Sequence, residues 1–163
     1  MLVPMARAPF QVLVLPWRRT QHALEVAVFH RTDYDLWQFV SGGGEDDEHP
    51  FAAAQREGFE EAGIPPNANY LRLDSMTMLP ACWYHAWPTW PAEVLVIPEY
   101  TFGVEVDDIV RSDEHRDAKW CAVEDAMKQL SFDSNRHALW ELNERIFPGP
   151  RAKRFVYARD PSK

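Results

Sequence analysis

Residues 42–64 read GGGEDDEHPFAAAQREGFEEAGI, and this stretch decides how the chain is understood. Pro50 suits the first turn of a helix, Ala52 to Ala54 favour one, and Gly63 followed by Pro65 ends it. At about 100° per residue, Glu57, Glu60 and Glu61 fall within roughly a quarter of the circumference. Phe51, Gly58, Phe59 and Ala62 fall on the other side, where a sheet is expected to cover them. Carboxylates spaced i, i+3 and i+4 repel one another by a few tenths of a kcal/mol per pair. A divalent cation removes that repulsion, and ligands that are all oxygen favour magnesium or manganese over zinc or copper. Arg56 lies one turn before Glu60 and can hold a carboxylate in orientation. Gly42 to Gly44 are expected to form a turn that lets backbone approach a metal or phosphates closely. The bland alternative for the three glutamates is a solvated acidic helix face.

On the N-terminal side, FQVLVL at 10–15 is a β-rich run that Pro16 is expected to close, and ALEVAVFHR at 23–31 reads as a second strand. WQFV at 37–40 is short and extended. On the C-terminal side, strands are expected around Tyr70 to Leu79 and Glu93 to Val106, with the aromatic segment CWYHAWPTWP between them. Helices are expected over Val123 to Leu130 and Asn135 to Phe147, the latter amphipathic through Ala138, Leu139, Leu142 and Ile146. No linker interrupts residues 10–147, so residues 1–147 are read as one α+β domain, a mixed sheet with helices on its faces. The basic, proline-bounded tail at 148–163 is expected to dock loosely at most.

The 163 residues carry a net charge of −8, which argues against long nucleic acids as partners. A small anionic ligand remains compatible, because bound divalent cations reverse a local field. Cys82 and Cys121 lack a metal-type spacing and suit a reducing compartment. The N-terminus MLVPMARAPF has no signal-like apolar run and nothing reaches membrane-spanning length, so a cytoplasmic protein without a membrane partner is expected. Trp83, Trp87 and Trp90 suit either stacking on a planar ring or a homodimer contact.

The stretch resembles the Nudix box, G-x5-E-x7-R-E-U-x-E-E-x-G-U with U apolar, matched at Gly42, Glu48, Arg56, Glu57, Glu60, Glu61, Gly63 and Ile64. Chance agreement at the seven invariant letters is on the order of 10⁻⁹ per starting position. One position departs: Gly58 replaces the usual larger apolar residue, which weakens the helix by about 1 kcal/mol and suggests close packing against a strand. The resemblance implies an α/β/α sandwich with a mixed sheet between helices, and substrates in which a nucleoside diphosphate is linked to another group. It also implies that Glu57, Glu60 and Glu61 bind Mg²⁺ (or Mn²⁺ as substitute) or handle water, with Arg56 orienting them. The carbonyl of Ser41 is a further implied ligand.

Outside the box, LWQFVSGG, then Glu114-His115 with Trp120, and Ser134-Asn135-Arg136 resemble the dihydroneopterin triphosphate diphosphatase and dATP pyrophosphohydrolase branch. That resemblance implies Arg31 facing phosphates, Glu114 as a metal-binding or catalytic carboxylate, and His115 and Ser134 in contact with substrate. Without it, Glu105, Asp107, Asp108 and Asp113 compete with Glu114, and His115 reads more readily as a surface histidine than as a contact. The expected reaction takes a nucleoside or pterin triphosphate to the monophosphate and pyrophosphate, with Glu57 or Glu114 activating water. The alternatives are hydrolysis of dinucleoside polyphosphates or nucleotide sugars, and a non-catalytic module that senses a nucleotide.

Overall fold

A computed structural model describes residues 5–150 and 161–162; most of the basic tail therefore lies outside the described residues. Strand β1 (Arg7–Arg19) runs through the middle of a mixed sheet with β2 (Leu24–Arg31), β3 (Trp37–Gln38), β4 (Val40–Glu45), β5 (Asn69–Pro80), β6 (Val96–Glu105) and β7 (His115–Ala122). The path is β3-β2-β1-β6-β5, with β4 also pairing β1 and β7 pairing β2. The β1–β6 ladder is parallel and the other ladders are antiparallel. Helix α1 spans Pro50–Ala62, α2 Val123–Gln129 and α3 Asp133–Ile146.

Alternation along β1 divides the core into two layers. Leu13, Leu15 and Trp17 pack with Ala126, Leu130, Ala138, Leu139 and Leu142 of the α2–α3 region. Val12 and Val14 point the other way and pack with Ala53, Ala54 and Ala62 of α1. The architecture is thus the expected sandwich of helices around a mixed sheet. Pro16 does not close β1. It stays in register with Val104 of β6, and on the other edge of β1 it stands in the gap between Val14, the last residue paired with β4, and Trp17, the first paired with β2, where a missing N–H is tolerated.

Two further expectations are corrected. Gly42 to Gly44 lie inside β4, not in a turn; the chain turns afterwards, where Asp46 adopts a φ of 47°. On α1 the residues Glu57 and Glu61 are buried with Ala53, Ala54, Gly58 and Ala62, while Phe59 is exposed. The carboxylate face and the packed face therefore overlap. Gly58 does meet a strand closely: a Cβ there would sit 2.4 Å from the Tyr70 hydroxyl of β5. Strand β7 has no counterpart in the sequence reading, because HRDAKWCA alternates weakly.

Candidate active site

The register of the sheet assembles one end of the molecule. Gln11 lies between Gly43 of β4 and Glu99 of β6. Arg31, at the end of β2, is paired with His115 at the start of β7. The loop before β7 docks on the end of α1, Val110 N–H donating to Ala62 O at 2.9 Å and Ser112 N–H to Glu61 O at 3.3 Å. That docking carries Glu114 to the box helix from about fifty residues further along the chain.

Arg56 is the hub of the box. Its Nε donates to Glu48 Oε1 and its Nη2 to Glu48 Oε2, both at 3.0 Å, and Nη2 also donates to Gly43 O at 2.7 Å. Its Nη1 reaches Glu57 Oε1 at 2.9 Å and Glu60 Oε2 at 3.2 Å. Hydrogen bonds to Glu48 raise the guanidinium pKa further, so Arg56 stays charged. Gly42 makes room for this network: a Cβ there would lie 2.0 Å from the Glu57 carboxyl carbon.

Glu61 is the least satisfied carboxylate of the set. It is 3% exposed, and its Oε2 has no hydrogen-bond partner among the described residues. Burial, then the charges of Glu57 and Glu114, push its carboxyl up to about 9. Burial also raises Glu57, against the pull of Arg56. His115 Nε2 stands 3.4 Å from Glu61 Oε2 without hydrogen-bond alignment, so it does not relieve the strain. Burial, with Arg31 and Arg111 nearby, pushes His115 down to about 4, leaving it neutral near pH 7. The surface-histidine reading is corrected: His115 is 2% exposed and packs its ring 4.9 Å from Phe29.

A cavity of about 330 Å³ opens above this group, of the size that small ligands occupy. Arg31, Ser41, Glu61, Glu114 and His115 line it, together with Gln38. Arg31 is held by Asp33, whose Oδ1 accepts from Nε at 2.7 Å. A second cavity of about 200 Å³ shares Arg31, Gln38 and Ser41 with the first and takes in Ser134, Glu99, Trp83, Tyr84 and Phe132. Neither Glu57 nor Glu60 lines the first cavity, and Glu60 is half exposed at the helix surface. Among the described residues no three acidic, His or Cys groups already converge as ion ligands, since Arg56 draws Glu48, Glu57 and Glu60 to itself.

The family profile of the NUDIX domain matches residues 8–142. The chain belongs to the NUDIX family. Among solved structures, a candidate NUDIX hydrolase from Listeria monocytogenes is 38% identical, with a TM-score of 0.76 over 85% of this chain and 94% of that one. The dihydroneopterin triphosphate pyrophosphohydrolase of E. coli is 24% identical, with a TM-score of 0.69 over 85% of this chain and 97% of that one. A C. elegans Ap4A hydrolase is 21% identical, with a TM-score of 0.62 over 85% and 98%. At these last two identities the likeness shows the NUDIX fold alone. No curated protein matches the chain in sequence. Among the described residues no helix is long and apolar enough to cross a membrane.

Sequence reasoning missed Glu99 and gave no role to Gln38 and Asn135, which it met only inside motifs; all three are buried polar residues of this end. Asn135 Oδ1 accepts from the Phe39 amide at 2.9 Å, tying α3 to the approach to β4. The available signal was a glutamate inside the otherwise apolar run VIPEYTFGV.

Proposed function

We propose that the chain is a divalent-metal-dependent pyrophosphohydrolase that converts a nucleoside or pterin triphosphate to the monophosphate and pyrophosphate. The observation that carries this reading is the buried Glu61, its Oε2 unpartnered beside Glu57 and under a cavity walled by Arg31 and Glu114. Clustered buried carboxylates short of positive charge are the donor set that a hard cation stabilises. Glu57, Glu60, Glu61, Glu114 and the Ser41 carbonyl would hold Mg²⁺, with Mn²⁺ as substitute. When bound, the ion neutralises phosphate charge and favours attack by water.

The protein groups have separable tasks in this reading. Arg31 binds phosphate oxygens at the junction of the two cavities, and Ser134 lies where the rest of the substrate extends. Arg56 orients Glu57 and Glu60, fixed in turn by Glu48. Glu57 is engaged by Arg56 and by Glu61, which supports Glu114, on the cavity wall, as the group that takes the proton from water. His115, neutral and buried, lines the first cavity beside Arg31 and meets the substrate there without adding a charge of its own.

The test is product analysis with Mg²⁺ on nucleoside triphosphates, dihydroneopterin triphosphate, diadenosine polyphosphates and ADP-ribose. Pyrophosphate released from triphosphates, and lost in Glu61→Gln, is the expected result. Nucleotides bound without turnover would replace this reading with the sensing one, and products only from dinucleoside polyphosphates would replace the substrate class.

A further inference from the structure

Glu99 sits mid-strand in β6, 5% exposed, on the sheet face that carries α3. Its neighbours on that face are Ile97 and Thr101, both buried, and the Thr101 hydroxyl donates to the Ser75 carbonyl. Among the described residues its Oε1 has no hydrogen-bond partner, and no Lys or Arg there pairs with the carboxylate. The Ser134 hydroxyl is the group that eases its charge, and Tyr84 lies close enough to feel it. Leaving such a carboxylate unsatisfied is costly, and a protein keeps one where a ligand supplies the donors.

The surroundings of Glu99 describe that ligand. The second cavity it lines also presents Trp83 and Phe132, both exposed, together with Tyr84 and Leu79. Exposed aromatic rings beside an apolar wall suit a flat heterocycle. The cavity adjoins the first through Arg31, Gln38 and Ser41, so a ring held here lies next to the phosphate end of the site. The choice of ring follows from donor count. A carboxylate offers only acceptors, and its two oxygens match an edge with two adjacent N–H donors. Guanine presents N1–H and its 2-amino group, and a pterin presents N3–H and its 2-amino group. Adenine and cytosine offer a donor beside an acceptor, and hypoxanthine has the ring N–H without the amine.

Building on the triphosphate reading above, we propose that Glu99 selects the substrate's ring by accepting both donors of a 2-amino-4-oxo heterocycle, of guanine or pterin type, in the second cavity. Trp83 and Phe132 hold the plane of the ring, and Ser134 keeps the Glu99 carboxylate oriented.

Binding without turnover tests this separately from catalysis. Isothermal titration at pH 8, without metal, compares dGMP, dIMP, dAMP and neopterin on the wild-type chain and on Glu99→Gln, whose folding is checked by circular dichroism. The expected result is that dGMP or neopterin binds about ten- to a hundredfold more tightly than dIMP and dAMP, and that Glu99→Gln abolishes the difference. Preference for dGMP over neopterin identifies a nucleotide source for the ring, and the reverse identifies a pterin. Equal binding of dAMP and dGMP, an unchanged preference in Glu99→Gln, or no binding of any ring overturns the role of Glu99. Pyrophosphate release from triphosphates, measured in parallel, decides the broader reading independently: it can persist without base preference, and its absence leaves the binding result to stand alone.

Discussion

Arg56 grips Glu48 with two parallel bonds of 3.0 Å, while its remaining nitrogen reaches Glu57 and Glu60 on its own helix. The planar fork of a guanidinium makes this geometry, and an ammonium cannot copy it. One cation thus fixes the entry loop, the end of β4 and two box carboxylates.

Removal of that cation strands partly buried charge. Arg56→Ala is expected to lower stability by about 3–5 kcal/mol, because Glu48 and Glu57 lose their partner together. Urea unfolding checks this through the midpoint at constant slope. A loss below about 1 kcal/mol would show that the network is no more than a surface ion cluster.

Gly42→Ala tests the space reserved for Glu57. The added Cβ would fall 2.0 Å from the Glu57 carboxyl carbon, so the carboxylate must swing away. The chain is expected to fold and to lose about ten- to a hundredfold in Mn²⁺ affinity, read by electron paramagnetic resonance. Wild-type affinity would mean that Glu57 is not a ligand.

Glu99 makes a pH prediction with a definite sign. Burial lifts its carboxyl from an ordinary 4.5 to about 7, so the folded chain keeps a proton that the unfolded chain has lost. Stability contributed through this group is therefore present at low pH and falls as pH rises from about 4.5 to 7. Relative to Glu99→Gln, the wild type should lose on the order of 3 kcal/mol across that window. Parallel stability curves for the two proteins, measured at intervals from pH 4.5 to 8, would refute the raised carboxyl.

Gly63 ends α1 in the left-handed region, φ 65°, with its N–H bonded to Phe59 O at 2.9 Å. Gly63→Ala would also bring a Cβ within 3.0 Å of Val110 Cβ, in the loop that delivers Glu114. A loss of about 1–2 kcal/mol is expected by thermal unfolding. An unchanged midpoint would mean that the loop and cap relax freely.

The sequence by itself determined the elements whose signals are local. Pro50 and Gly63 bound the box helix to within a residue of its observed ends, because caps act within one turn. The alternation of residues 10–15 became the two-faced centre of the sheet, and the Nudix spacing settled the family. Tertiary structure decided what depends on pairing between distant segments. Periodicity places Glu57 and Glu61 on one face, but which face is buried follows from where β4 lies, and Gly42 lets that face carry carboxylates inward. The β2–β7 register set His115 beside Arg31 and under the cavity, and the β1–β6 register set Glu99 beside Gln11. Such registers arise from contacts far apart in the chain, whose closing is driven by the whole core and written in no single stretch.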